Sequence, residues 1–139
     1  MALFSPHLPC PCGSEKHYSE CCARYHRGAA APTALLLMKS RYSAYAVGLS
    51  EYIMLTTHPE HPDFWRDKER WRAEIEAFSR ETDFLHLEIT AYTTEEDEAY
   101  VTFTATLSTG ILREKSRFLK VSGRWLYVEG TYEVASHRG

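Results

Sequence analysis

Four cysteines lie within thirteen residues, in the segment CPCGSEKHYSECC that runs from Cys10 to Cys22. The rest of the 139-residue chain contains no cysteine. Thiols that only fill a core are spread through apolar segments, whereas these lie among Pro, Gly, Ser and Lys. Four thiolates that converge on one point are a ligand set for tetrahedral Zn²⁺, with Zn–S distances of about 2.3 Å. The segment therefore predicts a metal centre formed by Cys10, Cys12, Cys21 and Cys22.

The residues between the two cysteine pairs suit such a centre. Pro9 and Pro11 keep the backbone extended around the first pair, and Gly13 allows the chain to fold back. Since four thiolates leave no open position for water, the pattern indicates one structural Zn²⁺ rather than a catalytic one. A thiolate cage also accepts iron, so the choice between the two metals stays open.

The bulk properties bear on the compartment and on the partners. The N-terminal residues MALFSPHLP lack a basic region followed by an apolar stretch, so we expect no signal peptide. No stretch approaches the roughly 20 apolar residues that span a bilayer. We therefore expect a cytoplasmic protein with no membrane partner, in which the thiols stay reduced. The net charge of −3 gives no reason to expect nucleic-acid binding.

The cysteine segment resembles the SEC-C motif, the zinc-binding segment at the C-terminus of the SecA translocation ATPase and of several other bacterial proteins. The resemblance includes C-x-C-G-S, Lys16, Tyr18 and the closing Cys21-Cys22, where many members have Cys-His. In SecA the motif contacts the chaperone SecB and the ribosome, which implies a protein or ribosomal partner for this chain. Four basic residues could form the contact surface, or could only solvate the motif and offset its charge: Lys16, His17, Arg24 and Arg27.

After the small-residue linker RGAAAPT (27–33), the sequence has a helical period. Apolar residues recur at intervals of three and four, at Leu35, Met38, Tyr42, Tyr45 and Leu49. This pattern predicts a helix that begins after the N-cap Thr33 and ends at Gly48. A second, short helix is predicted from Ser50 to Pro59. A third is predicted from Asp63 into the early eighties.

From about residue 85 the apolar period changes from near four to two, which predicts strands. The first strand has inward positions at Leu85, Leu87, Ile89 and Ala91. The second has them at Ala99, Val101, Phe103, Ala105 and Leu107. The third and fourth strands run from Ile111 to Val121 and from Arg124 to about Gly130. Helices followed by an antiparallel meander indicate an α+β fold, with the helices packed on one face of a curved sheet.

This order of elements resembles the cystatin-like cone of the nuclear transport factor 2-like superfamily. Together with the zinc motif, the segments LLLMKSRYSAYAVG, TTHP and EKSRFLKVSGRWLYVEGTY look like the YchJ-like family, from about Pro9 to Tyr132. The resemblance implies a zinc knuckle in residues 1–27 and a nuclear transport factor 2-like domain in residues 28–139. Many members carry a second SEC-C motif at the C-terminus, but this sequence ends in EVASHRG, so we expect one metal.

A pocket is predicted from the hairpin at Ser122-Gly123. A two-residue turn there sets three cross-strand pairs: Val121 with Arg124, Phe118 with Tyr127, and Ser116 with Glu129. Carboxylates and aromatic rings would then share one face of the sheet, closed by the first long helix. The expected pocket residues are Arg41, Tyr45, His58, Glu114, Ser116, Phe118, Trp125 and Tyr127.

The same residues have a purely structural interpretation. Glu114 and Glu129 could form ion pairs with Arg41, Arg113 or Lys115, and the aromatic rings could be core. The alternation does not fix which sheet face is concave, because Leu119, Val121, Leu126 and Val128 make the other face apolar too.

Two functional hypotheses follow. The first is a zinc-binding adaptor that contacts a protein or ribosomal partner through its knuckle, and whose larger domain stays folded without the metal. The second is a small-molecule enzyme or ligand-binding protein that uses the cone. No nucleophile–base–acid set is visible, so enzymatic activity is the less favoured expectation. A homodimer through the larger domain is left open.

Overall fold

The computed structural model describes residues 5–133, apart from the side chain of Glu133. In this range the chain forms the helices α1 (Ala23–His26), α2 (Ala34–Val47), α3 (Ser50–Leu55) and α4 (Lys68–Glu81). Short 3-10 turns cover Tyr18–Glu20 and Pro62–Trp65. The strands are β1 (Phe84–Thr94), β2 (Glu98–Leu107), β3 (Gly110–Val121) and β4 (Arg124–Glu133), in one antiparallel sheet of order β1-β2-β3-β4. The outer limits of the two predicted domains, residues 1 and 139, lie outside the described residues.

Helix α2 has the predicted limits. The Thr33 hydroxyl accepts the Leu36 N–H at 3.1 Å, which satisfies one of the unpaired donors of the first turn. At the other end Gly48 adopts φ 83°, a left-handed conformation that a residue without Cβ reaches at low cost. The prediction for this helix is confirmed because both of its signals are local.

Two other predicted helix limits are wrong. The second helix was expected to reach Pro59 but ends at Leu55. The third was expected from Asp63, which instead lies in the 3-10 turn before the helix. Helix α4 begins at Lys68, because the Asp67 carboxylate accepts the backbone N–H two residues further on and so provides the N-cap.

The alternation predicted for β1 is wrong at both ends. The register of β1 on β2 shifts between Phe84 and His86, and again between Ile89 and Ala91. Each shift adds one residue to β1 and so reverses which side chains face the core beyond it. Leu85 is therefore 63% exposed, while Phe84 packs against the core.

The core lies between α2 and one face of the sheet, which we call the inner face. The alternation predicted for β2 is confirmed, since all five of its apolar positions from Ala99 to Leu107 are buried. Leu37, Met38 and Tyr42 of α2 pack onto them. Each large side chain buried there contributes about 1.5–3 kcal/mol. The predicted α+β class, with helices on one face of an antiparallel sheet, is confirmed.

The β3–β4 hairpin follows the prediction near its turn and departs from it further along. Val121 pairs with Arg124 and Phe118 with Tyr127, as predicted. A bulge between Arg117 and Phe118 then shifts the register by one residue.

The predicted pairing of Ser116 with Glu129 is wrong because of this bulge. Ser116 pairs with Gly130 instead, and Glu129 pairs with Arg117. The Glu129 carboxylate is exposed and lies 3.7 Å from the Arg117 guanidinium. Among the described side chains of this hairpin, that of Glu114 is the one carboxylate on the inner face.

No helix within residues 5–133 is both long enough and apolar enough to span a bilayer.

Candidate metal centre and half-open cavity

The four cysteines are buried and form one cluster. Their Sγ atoms all lie within 4.8 Å of one another. The Cys12 and Cys21 sulfurs are 3.6 Å apart, well beyond the roughly 2.05 Å of a disulfide bond. Four thiolates at about 2.3 Å from one ion would have S···S separations of about 3.8 Å. The cluster therefore has the ligands and the dimensions to hold one metal ion.

Local backbone structure brings the two cysteine pairs together. The Cys10 N–H donates to the Lys16 carbonyl at 2.8 Å, and the Tyr18 N–H donates to the Leu8 carbonyl at 2.9 Å. These bonds form a small hairpin, which turns at Gly13 with φ 87°. The second cysteine pair follows the 3-10 turn and leads into α1, so it faces the first pair across the hairpin.

Hydroxyl groups surround the sulfurs. Ser14 donates to the Cys21 sulfur at 3.1 Å. Ser43, on α2 and 0% exposed, donates to the Cys22 sulfur at 3.3 Å and lies 3.5 Å from the Cys10 sulfur. Sequence reasoning missed Ser43, since nothing local distinguishes this serine from others in a helix.

The thiols in this cluster cannot all ionise independently. Hydrogen bonding to the Cys10 sulfur raises the pKa of Cys12 to about 11 and also raises the pKa of Cys22. The same bonds, first from Cys12 and then from Cys22, lower the pKa of Cys10. A dication would supply the positive charge that lets all four thiols lose their protons. The donor set thus fits a thiolate-bound cation.

A histidine joins the cysteine segment to α2. His26 Nε2 lies 2.8 Å from the Ser40 carbonyl oxygen and must donate to it, so Nδ1 accepts the Tyr18 hydroxyl at 2.6 Å. Burial lowers the pKa of His26, which favours this neutral form. Tyr25 adds its ring to the main core. We call residues 5–27 the knuckle, and these contacts attach the knuckle firmly to α2.

The four basic residues predicted for a partner surface are all exposed, but they differ in their contacts. The Arg24 guanidinium donates to the Cys21 carbonyl at 3.2 Å and lies over the Tyr25 ring. It therefore contributes to the knuckle itself. The other three make no side-chain hydrogen bond or ion pair with residues 5–133: Lys16, His17 and Arg27.

A cavity of about 340 Å³, half open to solvent, lies between α2, α4 and the inner face of the sheet. This volume falls in the range of about 300–1,000 Å³ that is typical of small-molecule sites. Much of its wall is apolar and aromatic. Six of the eight predicted pocket residues line it: Arg41, Tyr45, Glu114, Ser116, Phe118 and Tyr127.

The other two predicted pocket residues lie elsewhere. The His58 ring accepts the Glu60 N–H at 2.9 Å, and its backbone N–H donates to the Tyr127 carbonyl at 2.8 Å, so it holds a turn against β4. His61, which the sequence reasoning passed over, lines the cavity. Trp125 lies nearer the hairpin turn and lines a separate, smaller cavity of about 140 Å³ beside α1.

Glu114 is held in the cavity wall by its neighbours. It is 7% exposed, and its Oε2 accepts the Ser116 hydroxyl at 2.7 Å and the Tyr127 hydroxyl at 2.9 Å. The carboxylate lies directly over Gly130 of β4. A Cβ at Gly130 would overlap this carboxylate and would lie 2.6 Å from the Tyr127 hydroxyl oxygen. The bulge thus places a glycine where Glu114 needs space.

Arg41 is also buried, at 8% exposure, and is held by the α3 region. Its Nη1 donates to the Ile53 carbonyl at 3.1 Å, to the Thr56 hydroxyl at 2.7 Å and to the Thr57 hydroxyl at 3.3 Å. Its guanidinium lies over the Tyr127 ring, 4.5 Å from the centroid. Among the described residues Arg41 forms no ion pair with Glu114 within 4.0 Å, so a direct Arg41–Glu114 ion pair, one of the structural alternatives, is wrong.

Comparison with known protein families identifies both parts of the chain. The family model described as "YchJ, middle NTF2-like domain" matches residues 33–130. The SEC-C motif matches residues 8–24. A UPF0225 protein of Streptomyces coelicolor is 38% identical over 128 residues, which cover 91% of this chain and 98% of the relative.

Two solved structures share the architecture. The solution structure of a SEC-C motif containing protein from Rhodopseudomonas palustris has a TM-score of 0.76 at 34% identity, over 89% of this chain and 98% of that one. The crystal structure of a sec-c motif containing protein from Psychrobacter arcticus has a TM-score of 0.75 at 29% identity, over 94% and 86%. A SEC-C motif and this helix-on-sheet fold therefore occur together in these two proteins. The predicted division between residues 27 and 28 stays a prediction.

Proposed function

Because the chain belongs to the YchJ family, with a SEC-C motif before a nuclear transport factor 2-like domain, we propose that it is a zinc-binding adaptor of the cytoplasm. In this proposal the metal holds the knuckle in shape, and the knuckle contacts a protein or ribosomal partner. The observation that carries the proposal is the closed cluster of four buried thiols next to exposed basic residues that have no acidic partner within residues 5–133.

The chemistry of the cluster favours Zn²⁺ in a structural role. Four thiolates complete a tetrahedral shell and leave no position for a reacting water. Hydroxyl donors at Ser14 and Ser43 offset the negative charge of the thiolates from two sides. We expect one zinc per chain, which elemental analysis of the purified protein measures directly.

The exposed side of the knuckle favours a partner with an acidic surface. Lys16, His17 and Arg27 lie there without acidic partners among the described residues. Leu8, whose carbonyl accepts the Tyr18 N–H in the same hairpin, is 48% exposed and adds apolar contact area. Exposed charges of one sign promote association with a surface of the opposite sign.

Charge reversal in the knuckle tests the adaptor function. Lys16→Glu with Arg27→Glu should abolish co-sedimentation with ribosomes, or capture of the protein partner from cytosol, because like charges would then face each other. The matched control is Arg70→Glu with Arg80→Glu on the exposed side of α4, which changes the net charge equally. Equal binding by both double variants would contradict the proposed surface.

A second candidate function is small-molecule binding in the cavity. It is favoured by two buried charged residues, Glu114 and Arg41, that face the same cavity without pairing with each other. Indole, a neutral aromatic probe, should shift the NMR signals of cavity-lining residues such as Phe103 and Phe118. The absence of any shift in these residues at millimolar indole would count against a ligand cavity.

A further inference from the structure

We propose that the cavity binds zwitterions with an apolar body, the chemical class of the aromatic and large aliphatic α-amino acids. The ligand ammonium would lie at Glu114 and the ligand carboxylate at Arg41. This inference rests on the second candidate function above and gives it a ligand class.

Glu114 has one oxygen that is ready to accept from a ligand. Its Oε2 already accepts two hydroxyl donors, from Ser116 and Tyr127. Its Oε1 accepts no hydrogen bond from the described residues, and the residue lines the cavity. A carboxylate removed from water is stabilised by a cation and by further donors, and an ammonium group provides both.

Arg41 has the complementary capacity. Its Nη1 is occupied by three oxygen acceptors from the α3 region. Its Nη2 and Nε make no hydrogen bond with the described residues, although the residue is buried and lines the cavity. These two N–H groups lie on one edge of the planar guanidinium, which is the geometry that binds a carboxylate through two parallel hydrogen bonds.

The balance of charge in the cavity distinguishes a zwitterion from a simple ion. Asp63 and Glu74, which also line it, are both paired with Arg66, at 3.3 and 2.7 Å. His61 lies 3.9 Å from Asp63. One positive and one negative group, Arg41 and Glu114, therefore remain without an ionic partner among the described residues. A ligand with a single charge would satisfy one of them and leave the other unpaired.

The rest of the cavity fits an apolar ligand body. Its walls include side chains from α4 and from the inner face of the sheet: Trp71, Ile75, Phe78, Phe103, Leu112 and Phe118. Aromatic rings pack well against a flat or branched hydrocarbon group. Arg41 and Glu114 come from α2 and β3, whereas Trp71, Ile75 and Phe78 come from α4, so a ligand held at the two charged groups would have the apolar side chains of α4 beside its body.

The test is a set of matched ligands titrated against the full chain by calorimetry and NMR at pH 7. L-Phenylalanine carries both charges, phenethylamine only the ammonium and 3-phenylpropionate only the carboxylate. We expect L-phenylalanine to bind at least about tenfold more tightly than either analogue, since each charged contact adds on that order.

Two variants assign the charges to their residues. Glu114→Gln should weaken the binding of L-phenylalanine and of phenethylamine by about tenfold and leave the affinity for 3-phenylpropionate unchanged. Arg41→Lys should weaken the binding of 3-phenylpropionate by about tenfold and leave the affinity for phenethylamine unchanged. The matched controls Glu129→Gln and Arg80→Lys change exposed residues away from the cavity and should leave all three affinities unchanged. If Arg41→Lys does not fold, the Glu114→Gln series alone decides.

The outcomes separate this inference from the function on which it rests. If indole binds but either analogue equals L-phenylalanine in affinity, the zwitterion class is wrong and the ligand cavity stands. The zwitterion class is also wrong if Glu114→Gln and Glu129→Gln have the same affinity for L-phenylalanine. If neither indole nor any of the three ligands shifts the cavity signals, both the ligand class and the cavity function are overturned.

Discussion

At the scale of single residues, Ser43 connects the metal centre to the larger domain. Its hydroxyl is completely buried and contacts two of the four sulfurs from α2. A donor in this position stabilises thiolate charge and orients the ligands around the metal. Ser43 therefore belongs to the metal centre although it is 21 residues from Cys22 in sequence.

Replacing Ser43 should weaken metal binding. We expect Ser43→Ala to lower zinc affinity by about tenfold, which is the lower end of the effect of removing such a partner group. Competition with a chromophoric chelator measures the change. The matched control is Ser79→Ala, since the Ser79 hydroxyl is buried without a partner among the described residues and its loss should leave zinc affinity unchanged. Equal zinc affinity in Ser43→Ala and wild type would show that Ser43 does not stabilise the metal centre.

His26 should make stability depend on pH in a definite direction. Burial lowers the pKa of His26 below its ordinary value of 6.5, so the unfolded chain binds the proton more tightly than the folded chain does. Its contribution to the free energy of unfolding is therefore full above pH 6.5 and is lost as the pH falls below that value. A ring-nitrogen NMR titration should give a midpoint below pH 6.5. A midpoint at or above pH 6.5 would contradict a neutral imidazole that is hydrogen-bonded at both nitrogens.

At the scale of the elements, the bulge in the β3–β4 hairpin decides what the sheet presents to the cavity. Without it Ser116 would face Glu129, and the inner face would carry a second carboxylate. With it Gly130 lies beneath Glu114 and gives the carboxylate room. A one-residue shift in register thus changes both the charge and the free volume of the site.

Gly130→Ala should test this arrangement. The added methyl group overlaps the Glu114 carboxylate, so we expect a loss of about 1–3 kcal/mol in the free energy of unfolding. Urea denaturation measures it. In a Glu114→Ala background the same substitution should cost much less, because the overlapping group is gone. Additive effects of the two substitutions would show that the clash is not with Glu114.

At the scale of the whole molecule, the knuckle and the larger domain are joined through α2 rather than through the linker alone. Tyr25 packs in the main core, and His26 and the cysteine cluster bond to Ser40 and Ser43. The sheet and the remainder of its core are formed by residues after the linker. Loss of the metal should therefore destabilise the larger domain without unfolding it.

Replacement of all four cysteines by serine tests that coupling. Hydrogen exchange should show lost protection in the knuckle and in the middle of α2, with protection kept in β2 and β3. Release of the Tyr25 ring alone should cost about 2 kcal/mol, which lowers the midpoint of thermal unfolding. Loss of protection throughout the sheet would mean that the larger domain cannot fold without the knuckle.

The sequence by itself determined the features that depend on neighbours along the chain. The four clustered cysteines, the limits of α2, the alternation of β2 and the turn at Ser122-Gly123 follow from local spacing, capping and glycine conformation. For the same reason the cysteine segment alone was enough to predict a metal centre. Periodicity in the helix and the strands also placed six of the eight expected pocket residues along one cavity.

Only the tertiary structure decided the features that depend on residues far apart in sequence. Ser43 reaches the sulfurs because α2 packs beside the knuckle, and His61 lines the cavity in place of His58 because a turn docks on β4. The bulges in β1 and β4 reverse faces that simple alternation assigned. Arg41 and Glu114 stay apart because each is held by its own neighbours, and long-range packing of this kind leaves no periodic signal in the sequence.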